Sequence, residues 1–312
     1  MARFVNVAAG QLGPVARRET RTEVVARLIT LMRQARANGC DLIVYPELAL
    51  TTFFPRGYFE DQAEIDSFFE REMPGPETRG LFDLAREIGI GFYLGYAELT
   101  VEAGMVRRYN TSVLVEKSGA IVARYRKVHL PGHAEHEPWR EFQHLEKRYF
   151  EPGDGFGVTE AFGGVMGMAI CNDRRWSETY RVMGLQGVEM VVLGYNTPST
   201  NSQKAGEGPE KRLFHHNLSV QAGAYQNSTF VIATAKCGVE DGHPLFGGSC
   251  IVNPDGEIIA SAKTEDDELI VATIDLDDTK FGKETIFDFK RHRRIEHYGR
   301  ITGQVGVTLP PE

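Results

Sequence analysis

The chain has 312 residues, 42% hydrophobic and 25% charged, enough apolar sequence to bury a large core and too much for a disordered segment. A net charge of -8 argues against a nucleic-acid binder, and no run of about 18 apolar residues is present to span a membrane. Cys40, Cys171, Cys237 and Cys250 are widely spaced, which disfavours a zinc ribbon or a disulfide framework.

Residues 4–10 read as a buried strand that starts close to Met1, with no signal-peptide pattern before it. A reducing cytoplasm is therefore the expected location. Residues 20–38 read as an amphipathic helix. Val24, Leu28, Leu31, Met32 and Ala35 recur at three and four, and Gly39 closes it. Leu42-Ile43-Val44-Tyr45 is a second strand, stopped by Pro46. A helix is expected at 76–88, and strands at 90–98, 109–116 and 120–126. The second half repeats the theme: a strand reaching Cys171, a helix at 177–187, a strand at 188–194 and a longer helix at 209–227. Strands follow at 229–235, 247–253, 257–263 and 268–275, with Asn253-Pro254-Asp255-Gly256 as a hairpin turn. Alternating strands and helices with several hairpins predict an α/β fold, a mixed sheet with helices outside. No low-complexity linker divides the chain, so residues 1–280 are expected to form a single domain. Residues 198–210 read as an exposed loop and a candidate lid. The charged, aromatic tail 281–312 is expected to pack on a neighbouring subunit.

Three of the predicted strands end on reactive side chains. Glu47 directly follows the strand at 42–45, where α/β folds place their chemistry, and Pro46 limits its approach. The plain alternative is an exposed loop glutamate. Lys127 ends the strand at 120–126 and suits the stabilisation of an oxyanion, although a solvated lysine beside Arg124 and Arg126 is the blander reading. Cys171 closes the apolar run Val165-Met166-Gly167-Met168-Ala169-Ile170, and Arg174 and Arg175 follow. Free cysteines are more often small buried hydrophobes. Here the arginines supply a field that favours thiolate, and guanidinium groups match a carboxylate in a bidentate fork.

Taken together, Glu47, Lys127 and Cys171 in this order resemble the nitrilase superfamily of carbon–nitrogen hydrolases, over roughly residues 4–275. That resemblance implies a four-layer αββα sandwich and a Glu–Lys–Cys catalytic set, with Glu146 as an assisting glutamate. It implies no metal and no organic cofactor. The segments Glu47-Leu48-Ala49-Leu50-Thr51-Thr52-Phe53-Phe54, Lys127-Val128-His129-Leu130-Pro131-Gly132-His133, His144-Leu145-Glu146-Lys147-Arg148-Tyr149-Phe150, Cys171-Asn172-Asp173-Arg174-Arg175-Trp176 and Gly194-Tyr195-Asn196-Thr197-Pro198 are similar to the N-carbamoyl-D-amino acid amidohydrolases within it. So is the tail segment Ile286-Phe287-Asp288-Phe289-Lys290-Arg291-His292-Arg293. The similarity implies that Asn172, Arg174, Arg175, Asn196 and Thr197 hold the substrate, with His129, His144 and His215 beside them. The implied substrate is a small N-carbamoyl amino acid, and the implied assembly is a homo-oligomer, a tetramer or a dimer. A β-ureidopropionase-like carbamoylase, an aliphatic amidase and a nitrilase remain alternatives, as does a catalytically silent scaffold. A metal hydrolase built on His129, His133 and His136 is disfavoured, because His133-Ala134-Glu135-His136 lacks the HExxH spacing.

Overall fold

The computed structural model describes residues 2–140, 142–204 and 206–311; the outer ends of the expected domain and tail, at 1 and 312, and position 205 of the expected loop lie outside them. The first half runs β1 (Phe4–Gln11), α1 (Arg21–Ala37), β2 (Leu42–Val44), α2 (Gln62–Asp66), α3 (Arg79–Ile88), β3 (Gly91–Glu102), β4 (Met105–Val115), β5 (Ile121–Arg126) and α4 (Glu146–Tyr149). The second half runs β6 (Val158–Ala161), β7 (Gly164–Ile170), α5 (Ser177–Leu185), β8 (Met190–Tyr195), α6 (Pro209–Asn227), β9 (Phe230–Ala235), β10 (Cys237–Glu240), β11 (His243–Phe246), β12 (Cys250–Val252), β13 (Ile258–Ser261) and β14 (Glu268–Asp275). Short helices α7 (Thr279–Glu284), α8 (Phe289–His292) and α9 (Gly299–Gly303) follow.

Two six-stranded sheets form, in the orders β14-β1-β2-β3-β4-β5 and β13-β12-β9-β8-β7-β6. Each has a parallel centre, β1-β2-β3 and β7-β8-β9, with antiparallel strands outside it. The sheets pack face to face. Strand periodicity sorts the side chains between two cores. Val5, Val7 and Ala9 of β1 point between the sheets with Met166, Met168 and Ile170, whereas Ala8 joins Leu28, Met32, Leu81 and Phe82 beneath α1 and α3. Tyr180, Met183, Val220 and Ala224 of α5 and α6 close the other face. The layers are therefore helix, sheet, sheet, helix: the αββα sandwich that the motif resemblance implied. Thr20 and Glu23 form a capping box that starts α1.

Most expected elements form within a few residues of their predicted ends. Three short strands, β6, β10 and β11, are additions to the sequence reading. Residues 281–303 lie against the chain's own helices: Phe287 meets Tyr225 edge-on, Arg181 stacks over Phe289, and the Lys283 ammonium bonds the Gly187 and Val188 carbonyls. Among the described residues no helix is long and apolar enough to cross a membrane.

The topology puts one set of strand ends together. Glu47 lies just beyond β2, Lys127 follows β5, Cys171 follows β7 and Asn196 follows β8. The loop carrying Glu47 is wedged between two glycines. A Cβ on Gly194 would lie 2.3 Å from Glu47 N, and one on Gly95 would lie 2.7 Å from the Pro46 carbonyl oxygen. Any side chain there would push Glu47 off its position.

Candidate active site

Glu47, Lys127 and Glu146 are fully buried, and Cys171 is nearly so. Such burial is costly for charges unless they are paired. The pairing is direct: Lys127 Nζ donates to Glu47 Oε1 at 2.8 Å and to Glu146 Oε2 at 2.6 Å. Asn110 Nδ2 also donates to Glu47 Oε1, at 2.8 Å, and the Asn196 N–H to Glu47 Oε2, at 3.0 Å. The thiol of Cys171 donates to the Asn196 carbonyl, 3.5 Å away. One oxygen from each glutamate and Sγ of Cys171 lie within 4.8 Å of one another. The place a metal would take among these donors is held by the lysine ammonium.

The electrostatics separate the two glutamates. Burial raises the pKa of Glu47, and the Glu146 charge adds to this against the pull of Lys127. Burial acts on Glu146 too, but Lys127 and His144 outweigh it and its pKa falls. Two carboxylates on one lysine thus differ in proton affinity, the usual condition for giving one of them acid–base work. Burial disfavours the Lys127 ammonium, yet Cys171, Glu146 and Glu47 reverse that and keep it charged. For Cys171, burial and Glu47 raise the pKa, and Lys127 and Arg174 offset them only in part. The arginine field that favours thiolate is thus outweighed by desolvation and Glu47, and the thiol needs a base.

Cys171 has a left-handed backbone, φ 47°, and opens a 3₁₀ turn over Cys171–Arg175. Asp173 of this turn is buried. It accepts from Tyr125 Oη at 2.7 Å and from His129 at both its backbone N–H and ring Nδ1, each 2.9 Å. The His129 ring stacks between Trp176 and Phe156, with centroids 4.9 Å and 5.5 Å away. Asn172 Nδ2 donates to the His129 carbonyl. His144 Nε2 stands 3.6 Å from Glu146 Oε1, an electrostatic contact longer than a hydrogen bond.

The two arginines part company. Arg174 is 1% exposed, and its donors bond His216, the Cys171 carbonyl and Thr197 Oγ1. Arg175 opens onto a cavity of about 150 Å³ with His144, Gly132, Phe142, Asn201 and Arg212, and no carboxylate lines it among the described residues. Although much of the Arg175 side chain is open to solvent, its guanidinium is crowded by protein and repelled by Arg174, which pulls its pKa down to about 10. Its side chain has no ion-pair partner among the described residues. Arg212 is paired with Glu207 at 3.1 Å. His215 lies 4.0 Å from Glu207 and lines, with Arg175, Arg212 and Glu207, a second cavity of about 330 Å³. Asn196 and Thr197 are buried, holding Glu47 and Arg174 respectively. The histidines of the alternative metal reading do not converge: His129 is on Asp173, His133 lies 3.5 Å from Glu137, and His136 stacks on Tyr58.

Asn110 and Asp173 are not singled out by the sequence, which offers His216 only as a helix histidine, beside His215, able to order the site through hydrogen bonds. A polar run, Asn110-Thr111-Ser112, inside a strand that ends Val113-Leu114-Val115 was the signal available for the first. Asp173 and His216 meet their partners only through the fold.

Comparison with known proteins agrees with this geometry. A carbon-nitrogen hydrolase family model matches residues 6–283. An N-carbamoylputrescine amidase from Arabidopsis thaliana is 32% identical over 286 residues, spanning 88% of each chain. An (R)-stereoselective amidase from a Pseudomonas species is 30% identical over 267 residues, spanning 85% of this chain and 84% of that protein. The crystal structure of a carbon-nitrogen hydrolase from Helicobacter pylori G27 superimposes with a TM-score of 0.82 over 97% of this chain and 99% of that one; at 24% identity it speaks for the fold alone. The chain belongs to the carbon-nitrogen hydrolase family, whose members include amidohydrolases of the nitrilase superfamily.

Proposed function

We propose that the chain hydrolyses N-carbamoyl-D-amino acids to the D-amino acid, ammonia and carbon dioxide. The observation that carries this reading is the unpaired Arg175 guanidinium over a cavity without a carboxylate, whose wall includes His144 beside Glu146 of the Glu–Lys–Cys group. A site of that charge suits an anion at the far end of the carbamoyl substrate. A carbamoylated diamine, the substrate class in the name of the Arabidopsis relative, would bring an ammonium to the same place.

In this mechanism Glu47 takes the Cys171 proton as sulfur attacks the carbamoyl carbon. Lys127 and the backbone N–H of Asn172 receive the developing oxyanion. The tetrahedral intermediate collapses with breakage of the C–N bond to the terminal amine. Glu47 returns its proton to that nitrogen, and ammonia leaves. Water, deprotonated by Glu47, attacks the S-carbamoyl carbon and the thiol is released. The carbamate so formed loses carbon dioxide and leaves the amino acid. Glu146 stays ionised and fixes Lys127. Arg175 takes the substrate carboxylate, with His144 on the same cavity wall. Arg174, Asn196 and Thr197 act from behind the site through the groups they bind.

Preference for the D series is supported by the motif similarity and by the (R)-stereoselective relative. The test is ammonia release from N-carbamoyl-D-, N-carbamoyl-L- and N-carbamoyl-β-amino acids, N-carbamoylputrescine, plain amides and nitriles. The D-amino acid derivatives are expected to be fastest; faster turnover of N-carbamoylputrescine would overturn the substrate assignment. Arg175→Lys is expected to raise KM for the carbamoyl acid by about 10-fold or more while leaving an uncharged amide nearly unchanged. Equal losses on both would remove Arg175 as the carboxylate anchor.

A homo-oligomer is the assembly we favour. Val182, Leu185, Phe214, Leu218 and Tyr225 leave an exposed apolar face on α5 and α6, and Val305, Val307 and Leu309 of the tail are exposed in alternation. Apolar side chains exposed together on neighbouring helices suit a protein–protein contact. Light scattering at micromolar protein should give a dimer or tetramer; a monomer there would refute the assembly. The four free cysteines fit a reducing compartment such as the cytoplasm.

A further inference from the structure

Behind Cys171 lies a buried polar chain that touches neither the substrate cavity nor the glutamates. Arg174 Nη1 donates to the Cys171 carbonyl at 2.6 Å, and Nη2 to Thr197 Oγ1 at 3.0 Å. Its guanidinium stacks over Tyr195, 4.3 Å from the ring centroid. Its Nε donates to Nδ1 of His216, 2.9 Å away on α6. An arginine can only donate, so this bond fixes the imidazole. Nδ1 carries the lone pair and Nε2 the proton. The Nε2 proton points to Tyr195 Oη at 3.1 Å, and that hydroxyl passes its own proton to the Gly247 carbonyl at 2.8 Å. The chain runs in one direction, from Arg174 to Gly247, and Cys250 Sγ lies 3.7 Å from the same Nε2.

Two features make the chain more than a structural filler. It ends on the carbonyl of Cys171, held in a left-handed backbone without being glycine, where L-residues are strained. It also carries a buried guanidinium with no carboxylate among its partners, three residues from the thiol. A buried cation bonded only to neutral acceptors keeps its field for its neighbours, and Cys171 is one of them.

We propose that Arg174 and His216 are positioning residues for the nucleophile: His216 orients Arg174, and Arg174 grips the Cys171 carbonyl and lends its charge to the thiolate that forms during attack. His216 serves this only as the neutral, Nε2-protonated imidazole, because a proton on Nδ1 would meet the Arg174 N–H. Burial and the charges of Arg174 and Arg175 keep it neutral. The substrate carboxylate is left to Arg175.

Four variants test this on the full chain, with N-carbamoyl-D-amino acid and an uncharged amide as substrates and iodoacetamide as thiol probe. Arg174→Gln, which removes the charge, is expected to lower kcat on both substrates by about 100-fold with KM within about threefold, and to move the midpoint of alkylation to higher pH. Arg174→Lys keeps the charge but not the fork; kcat should fall while the alkylation midpoint stays. His216→Asn keeps an acceptor where Nδ1 stood and should retain most turnover, whereas His216→Leu should match Arg174→Gln in kcat. The proposal is overturned if Arg174→Gln raises KM only for the carbamoyl acid with the amide unaffected, if its alkylation midpoint does not move, or if Asn and Leu at 216 lose equally. Should Arg174→Gln fail to fold, Arg174→Lys decides: an unchanged kcat would reject the idea. The inference rests on Cys171 as the attacking group, and Cys171→Ala judges that separately, since residual ammonia release from it would end the thiol mechanism whatever the Arg174 variants do.

Discussion

Glu47→Gln is expected to move two readouts in opposite directions: hydrolysis falls while alkylation of Cys171 speeds up. Glu47 is the group placed to take the thiol proton, and general-base removal typically costs about 10²–10⁴-fold in turnover. The same carboxylate is, after burial, the largest influence raising the Cys171 pKa. Removing its charge leaves Lys127 balanced by Glu146 alone. The thiol pKa therefore drops. A fall of one unit multiplies the thiolate fraction about tenfold, and the lower nucleophilicity of the more acidic thiolate takes back about threefold, for a net gain of about threefold. The iodoacetamide rate profile should shift to lower pH while ammonia release is nearly lost. The variant remains foldable at a modest cost. Glutamine can place its oxygen toward Lys127 and Asn110, but its amide then faces the Asn196 N–H, a donor against a donor worth about 1–3 kcal/mol. Slower alkylation in a folded Glu47→Gln protein would show that Glu47 does not hold the thiol protonated.

The parts of this site legible in the sequence were those fixed by strand ends. Glu47, Lys127 and Cys171 each follow a run of apolar or alternating residues, and a parallel-centred sheet brings such ends to one edge. What could not be read was the division between neighbours. Arg174 and Arg175 are adjacent in sequence and were given one role. In a 3₁₀ turn successive residues point about 120° apart, so one guanidinium goes inward to His216 and the other outward to the cavity. Asp173, inside the same motif, was passed over because its partners Tyr125 and His129 come from the end of β5, in the other sheet. Asn110 reaches Glu47 because β3 alone separates β4 from β2, a neighbourhood only the sheet order gives. The balance of charge against burial at Cys171 was likewise out of reach: residue types announce the arginines, but only the structure gives the desolvation that outweighs them. The missed strands have a related cause. β6, β10 and β11 have four residues each and mixed burial, too short for a period to register.

Lys127→Met is expected to be the more damaging change, to the fold as well as the reaction. In the native site one ammonium bridges two fully buried carboxylates. Methionine fills a similar volume and leaves Glu47 and Glu146 facing each other without a cation. Breaking a buried pair by deleting one partner typically costs about 3–5 kcal/mol, here on the order of 10 °C in Tm, and hydrolysis should fall by about 10³-fold or more with the loss of oxyanion support. The pH dependence carries the sign. In the wild type the folded pKa of Glu146 is depressed, so its contribution is present above the unfolded value of about 4.3 and lost as pH falls through the lower folded value. Without Lys127 its burial goes unopposed by that charge, and Glu47 loses the attraction that partly offset its own. Both folded pKa values then lie above the unfolded one. Such groups favour the native state below their unfolded pKa and lose that contribution as pH rises through the folded one. The Tm gap between the variant and the wild type should accordingly narrow as pH is lowered from 7 toward about 5, where one of the two carboxylates takes up a proton and bonds the other. A gap that is constant over that range would mean that the two glutamates are hydrated or separated in the variant, and that Lys127 is needed for the reaction but not to hold the pair together.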